Sequence, residues 1–441
     1  MKKIIKFFSI FLDETVFFVL ASRVLNSLVG LISIYFIFRF LSPIEQGHYY
    51  AFISLVGFSV FFEFGLGTLI IQTVSHSLVK SNIKSVTNIL AIKKNHLFFN
   101  TVKNLYVFSL FLSLLMFLGM SLIGFFIFGD LSILITPWCI LTILISINFL
   151  INTGLNIIEG MGKIVEIAKI RFFAMLFSVP ILWISFYFGL NVFSISLQLF
   201  ASILIFSIWL IRKYRVFFYY SFKSEGRIKL TNFIQSIWPL QSRLTVSFFS
   251  NYLNFQGFVP LVYLMSSSEY AGKFGVTIQA LMAINGFAIT WVNSKFSYLS
   301  QLAAKNSKEL LQLEFKRFFV ISIEVLCVLL AIFLSLIFYM SFTKTNYLDR
   351  FLDIENILYL CLTAFAIHVY SAVNIFLLAF KKDPLFKLNL FKMIFLLIGF
   401  GYLFLSKEQD HIIYIYCFTS ICFSLFGSLY ILNRFKKINF F

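Results

Sequence analysis

A chain of 441 residues that is 60% hydrophobic, 20% aromatic and only 12% charged, with 62 Phe, is too apolar for an ordinary soluble domain. It is also far too hydrophobic for a disordered one, which leaves a polytopic membrane protein. The charge is the second anomaly: 36 Lys+Arg against 18 Asp+Glu gives +18, which in a soluble protein would suggest nucleic acid. In a membrane protein the same excess asks on which side of the bilayer each cation lies.

The chain begins with Lys2, Lys3 and Lys6 before a long apolar run. This resembles the start of a signal peptide, but no small-residue cleavage site follows a short core, so it reads as a cytoplasmic interfacial segment. Crossing the hydrocarbon core takes about 20 predominantly apolar residues. In chain order such runs fall at 16–38, 49–73, 105–128, 133–157, 172–190, 193–211, 239–264, 275–297, 318–341, 356–380, 388–405 and 412–432. They are continuous, with no alternation, and far longer than a barrel strand, which excludes a β-barrel. The expectation is an all-α polytopic membrane protein of about twelve transmembrane helices.

With the N-terminus placed inside, the inner segments hold 27 of the 36 cations. The outer loops hold five: Arg39, Lys273, Lys344, Arg350 and Lys407. The positive-inside rule is then satisfied throughout with both termini cytoplasmic, as an even number of spans requires. Lys-rich inner loops also suit anionic lipid headgroups. The remaining four cations, Arg23, Arg243, Lys295 and Lys392, fall within spans, beside Glu63 and Glu324. Lone charges at that depth are costly and usually face a bundle interior or a wet cavity. Lys295 and Lys392 lie near inner ends, where snorkelling is the simpler expectation.

The most cationic inner loop, 212–237, lies mid-chain and divides it into expected bundles 1–222 and 223–441. The halves match internally. Ala21-Ser22-Arg23-Val24-Leu25 aligns with Gln241-Ser242-Arg243-Leu244-Thr245 at an offset of 220. Downstream, Leu41-Ser42-Pro43-Ile44-Glu45-Gln46-Gly47 resembles Met265-Ser266-Ser267-Ser268-Glu269-Tyr270-Ala271-Gly272. Six spans per half give the halves one orientation. Transporters built from such repeats bind substrate between the halves and rock them.

Arg23, Asn26, Ser27 and Gly30 make one stripe on the first helix. Arg243, Ser247, Ser250, Asn251, Asn254 and Gly257 make another on the seventh. Such stripes either line a cavity or glue helices together. In the first case symmetry-related Arg23 and Arg243 make the cavity cationic and suited to phosphate; in the second they pack or snorkel. Asn285 and Asn293 on the eighth span extend the candidate polar lining. Glu63, in Phe61-Phe62-Glu63-Phe64-Gly65, is either a structural partner of Arg23 or a coupling carboxylate. His368 is a lone intramembrane histidine, more often a satisfied hydrogen-bonder than a ligand. The five cysteines lack metal-ligand spacing and read as small buried hydrophobes. With no P-loop and no catalytic constellation, the chain reads as a non-enzyme without cofactor or metal.

The stretch from Ala21-Ser22-Arg23 through Phe38-Arg39-Phe40-Leu41-Ser42-Pro43-Ile44-Glu45-Gln46-Gly47-His48-Tyr49-Tyr50 to Phe61-Phe62-Glu63-Phe64-Gly65-Leu66-Gly67 resembles polysaccharide-biosynthesis membrane proteins. These are the Wzx-type oligosaccharide flippases of the multidrug/oligosaccharidyl-lipid/polysaccharide exporter superfamily. Ile237-Trp238-Pro239-Leu240-Gln241 and Ala288-Ile289-Thr290-Trp291-Val292-Asn293-Ser294-Lys295 are similar to the second-half pattern. The resemblance implies two pseudo-symmetric six-helix bundles around a central, often cationic, cavity. It also implies transfer of undecaprenyl-pyrophosphate-linked oligosaccharide, an O-antigen or related lipopolysaccharide repeat unit, to the outer leaflet of the inner membrane. Arg23 and Arg243 would then meet the pyrophosphate, and polysaccharide polymerase machinery is an expected partner; nucleic acid is not. The rival reading on the same fold is a cation-coupled multidrug or metabolite exporter. It would want acidic residues in the cavity, yet the spans carry more Lys and Arg than Asp and Glu.

Overall fold

The computed structural model describes residues 14–63, 65–80, 96–129, 131–223, 256–304, 307–345, 347–380, 384–406 and 411–440, with scattered positions between 234 and 253. No strand occurs among them. This is what hydrocarbon dictates, because a helix satisfies every backbone donor and acceptor within its own segment.

Two compact units divide the chain: 1–22 with 56–248, and 23–55 with 249–441. This division differs from a cut at 222/223, because packing groups segment 23–55 with the C-terminal residues.

In the first unit, α1 (Glu14–Phe40) contributes its first turns, with Phe18 edge-on to Phe172 and under the Lys169 ammonium. The second span is broken into α2 (Pro43–Glu63) and α3 (Leu66–Lys80), with Gly65 at φ 64° between them. Only glycine adopts that left-handed backbone without strain. Next come α4 (His96–Phe128), α5 (Ser132–Gly160), α6 (Ile164–Tyr187) and α7 (Phe193–Lys223). α5 is the hub, packed on α3, α4, α6 and α7. Its Trp138 donates to Met120 O at 2.9 Å over Gly124, where an added Cβ would collide with the indole nitrogen. Pro137 and Pro180 lie inside unbroken helices.

α7 continues well past residue 211, so the first part of the expected mid-chain loop is helical. The extension is held by Glu166 of α6, which accepts from Lys213 at 2.6 Å and from Tyr214 Oη at 2.8 Å. Such exposed pairs add little each. They explain why charged residues can prolong a helix beyond its apolar run.

The second unit contains the rest of α1, the start of α2, α8 (Phe258–Met265), α9 (Ser268–Asn293), α10 (Phe296–Ala304) and α11 (Lys308–Phe342). A 3₁₀ turn (Leu348–Arg350) precedes α12 (Ile354–Leu378), α13 (Phe386–Ser406) and α14 (His411–Thr419). The last span passes through a π-helical segment (Ser420–Gly427) into α15 (Ser428–Phe440). α12 is the central helix, touched by α9, α10, α11, α14, α15 and the π segment. Phe376, Val373 and Ala372 anchor its core at zero exposure.

Ten helical stretches among the described residues are long and apolar enough to cross a membrane. α1 accounts for the first expected span, and α8 is the described end of the seventh. Outward faces stay greasy, as at Ile133, Leu405 and Phe342, which a bilayer would cover. All five cysteines are free. Cys361 and Cys417 are buried, as expected for small hydrophobes, whereas Cys327 is exposed.

Candidate functional site

The second unit holds an open cavity of about 500 Å³. Gly30 of α1, Tyr50, Ile53 and Ser54 of α2, Gln256 and Val259 at α8, and Gly275, Ile278, Gln279, Met282, Ala283, Gly286 and Asn293 of α9 form its wall. Among the described residues this wall carries no charged side chain; its polar groups are hydroxyls and amides.

The cavity follows from the internal repeat. The glycines that end the two matching turns lie against each other: a Cβ on Gly47 would overlap Ser268 O, and one on Gly272 would fall 2.9 Å from Gly47 N. The same register, 272 − 47 = 225, pairs Tyr50 with Gly275, Ile53 with Ile278 and Ser54 with Gln279. A Cβ on Gly275 would overlap Tyr50 Cβ, and the other two pairs line the cavity. α2 and α9 therefore cross on small residues at their first turns, where backbones can approach closely, and diverge further along.

Both starts are capped alike. Ser42 and Glu45 form a reciprocal box, Ser42 N donating to Glu45 Oε2 at 2.8 Å and Glu45 N to Ser42 Oγ at 3.3 Å. Ser267 Oγ accepts from Tyr270 N at 3.2 Å. Gln46 donates to Gly272 O at 2.9 Å and to Arg350 O at 3.2 Å. Arg350 donates to Leu41 O at 2.9 Å and to Gln46 Oε1 at 3.3 Å, closing a clasp over the crossing. Partial burial lowers the Arg350 pKa from its ordinary value, against the opposing pull of Glu269 and Glu45. An arginine so far above neutrality keeps its charge.

Two buried polar atoms in the wall have no hydrogen-bond partner among the described residues: Tyr50 Oη and Gln279 Oε1. The Gln279 amide nitrogen meanwhile donates to Gly30 O at 3.3 Å. Orphaned buried groups are uncommon and demand a reason; a ligand or water that completes them is the simplest. Ser54 is satisfied by donating to Gln256 O at 2.5 Å.

Of the residues singled out from sequence, Asn293 lines the cavity. Asn285 lines a smaller pocket that shares Ile278 and Met282 with this cavity; it is buried on α9, where its oxygen meets His368 Nδ1 at 2.8 Å and its nitrogen donates to Ala364 O at 3.2 Å. His368 Nε2 meets Ser322 Oγ at 2.5 Å, so the histidine is a fully satisfied hydrogen-bonder tying α12 to α9 and α11. Glu63 is the last residue of α2, at the break before Gly65, and has no ion-pair partner among the described residues. Arg23 and Asn26 lie on helical backbone in α1, with their side chains outside the described residues. Arg243, Ser247, Asn251 and Asn254 also lie outside the described residues. Lys295 is half-buried, with its ammonium 5.3 Å from the Phe318 ring centroid.

Lys392 overturns its sequence reading. It does not snorkel but is buried at 2% exposure, donating to Ser424 Oγ of the π segment. Position along a helix gives depth; only packing gives direction around it. Sequence reasoning also missed Tyr50, Ser54, Gln256 and Gln279. The 225-residue register, extended past Gly272, is the signal that would have found two of the paired positions.

No protein-family model matches this chain, and no curated protein matches it. Solved structures do match in fold. An inward-facing multidrug resistance MATE family transporter of the MOP superfamily superposes with a TM-score of 0.61 at 13% identity, over 96% of each chain. The MATE multidrug transporter DinF-BH gives 0.58 at 13% over 97% of this chain and 95% of its own. A MOP superfamily transporter from Pyrococcus furiosus gives 0.55 at 11% over 95% and 94%. For that protein a binding pocket of reverse polarity suggests a different function.

Proposed function

We propose that this chain, whose fold is that of MATE-type transporters, is a membrane transporter that moves a lipid-linked oligosaccharide across the bilayer by alternating access. The observation that supports this reading is a hydrogen-bonding cavity wall that, among the described residues, carries no charge and leaves Tyr50 Oη and Gln279 Oε1 without a partner. Sugar hydroxyls both donate and accept, and would complete both groups. The absence of Asp and Glu from the described wall removes the counter-charge that a cationic drug would want. Arg23 and Arg243 are the proposed contacts for a pyrophosphate, with Asn26, Ser247, Asn251 and Asn254 extending the polar face. Glu63 is the candidate coupling carboxylate. With the termini cytoplasmic, as the cation distribution argues, the Gly47–Gly272 crossing stands at the outer face and would part to release cargo.

The second reading, a cation-coupled multidrug exporter, is favoured by the names of the structural neighbours, which are multidrug transporters. Proteoliposomes separate the two. Transfer of an undecaprenyl-pyrophosphate-linked oligosaccharide between leaflets, without efflux of cationic dyes, supports the flippase. Dye efflux with no glycan transfer establishes the exporter instead.

A further inference from the structure

Lys392 is a fully buried amine on α13 whose described hydrogen-bond partner is one hydroxyl, Ser424 Oγ. No carboxylate lies within ion-pair distance of it among the described residues, and the elements packed on α13 offer none. α8, α13, α14 and the π segment contain no Asp or Glu. Their titratable groups are Tyr263 on α8, Tyr416 and Cys417 on α14, and Cys422 in the π segment, all neutral or weakly acidic. Tyr402 and Tyr414 point outward, while Lys387 and His411 stand near helix starts. α12 adds Tyr370, which donates to Asn389 one turn before Lys392, and keeps its carboxylate, Glu355, in its exposed first turn.

An ammonium there has no counter-charge among the described residues, and burying a charge unpaired is far costlier than burying the neutral amine. Structural lysines escape by snorkelling or pairing; among the described residues this one does neither. Its neighbour is also unusual. The last span leaves α-geometry for eight residues at Ser420–Gly427, and π-helical turns concentrate at functional sites. One turn from Ser424, the Ser420 hydroxyl is buried without a hydrogen-bond partner among the described residues. Among the described residues, then, an amine lacking an acid sits against a widened helical segment that also carries an orphan hydroxyl four residues from Ser424.

We propose that Lys392 is a proton-binding site of the second unit, neutral in the packed arrangement and protonated when α13 and the π segment separate enough to admit water. The step is R–NH₃⁺ giving R–NH₂ and H⁺: one N–H bond breaks, its electron pair stays on nitrogen, and the proton leaves with water. Closing the unit around Lys392 then releases a proton, and opening takes one up. This rests on the transporter reading of the fold but not on which cargo it carries.

A cargo-free experiment tests it. Gln256→Cys places a thiol in the cavity wall of the full chain in native membranes. Its N-ethylmaleimide labelling is followed by mass spectrometry between pH 5.5 and 9 and corrected for thiolate fraction with a free-thiol standard. With Lys392 present, corrected labelling changes with pH by up to about tenfold per unit, the limit for one linked proton. In Lys392→Met, of similar length and uncharged, the profile is flat. Lys392→Gln, carried as a second uncharged variant, is flat as well. A pH profile that persists in both uncharged variants, or a flat profile with Lys392 in place, overturns the proposal. Failure of glycan transfer in proteoliposomes would overturn the flippase reading and leave this result standing.

Discussion

At the scale of single residues, the site depends on atoms that lack something. Gly47 lacks a Cβ because Ser268 O occupies the place where one would go. Gly47→Ala should therefore destabilise the protein by about 1–3 kcal/mol, the usual cost of overpacking, as read by thermal unfolding in detergent. Gly401 on α13 has nothing within 4 Å of its Cβ position. Gly401→Ala should be neutral, or stabilising by about 0.4–1 kcal/mol through the unfolded chain. Equal losses at both positions would mean that the α2–α9 contact is not as close as described. Tyr50 argues in the opposite direction. Its hydroxyl is buried with no hydrogen-bond partner among the described residues, so Tyr50→Phe should leave stability unchanged or slightly higher. Transport of a sugar-bearing cargo should fall in the same variant. Stability lost together with transport would show that the hydroxyl has a structural partner.

At the scale of elements, the two helices that begin on the repeated turns depend on their caps. Ser42→Ala removes one half of a reciprocal box and should cost about 0.5–2 kcal/mol, with Ser267→Ala in the same range. A thermal shift in neither variant would show that the Arg350–Gln46 clasp alone positions both helix starts. The sequence shows the segments that carry these caps as a repeated Ser- and Glu-containing stretch, because capping is local chemistry and sequence records it. The spans were legible for a similar reason: apolar length is a property of one segment. What could not be read were relations between segments. The repeat aligned Gly47 with Gly272, yet alignment states equivalence and says nothing about touching. Helical position sets Asn285 beside Asn293 on α9, and says nothing of the bond its amide makes to His368, a partner far along the chain. Lys392 was placed by depth, while its direction around α13 depends on a π-helical turn that no residue pattern announced. The extension of α7 through Lys223 was hidden because charge density marks a membrane boundary but not the end of a helix.

At the scale of the whole molecule, composition and cation distribution argue for one orientation, and two positions test it. Thr345 follows α11 on the expected outer side, and Lys223 ends α7 on the inner side. In intact cells a membrane-impermeant maleimide should label Thr345→Cys and spare Lys223→Cys until the membrane is opened. The reverse pattern would invert the topology and place the Gly47–Gly272 crossing at the cytoplasmic face.

The division of the chain also bears on its synthesis. Residues 23–55 belong to a unit whose remaining parts, from 249 onward, leave the ribosome only after 56–248 have been made. At about 5–20 residues per second that interval lasts on the order of ten to forty seconds. Throughout it the nascent hairpin of α1 and α2 stands in the bilayer with the bare backbone at Gly47 and the Tyr50 hydroxyl uncovered by α9. An insertase or membrane chaperone that shelters small and polar helix faces would find its substrate in that window. A chain cut short before α9 should be cleared by quality control, not stored as half a transporter.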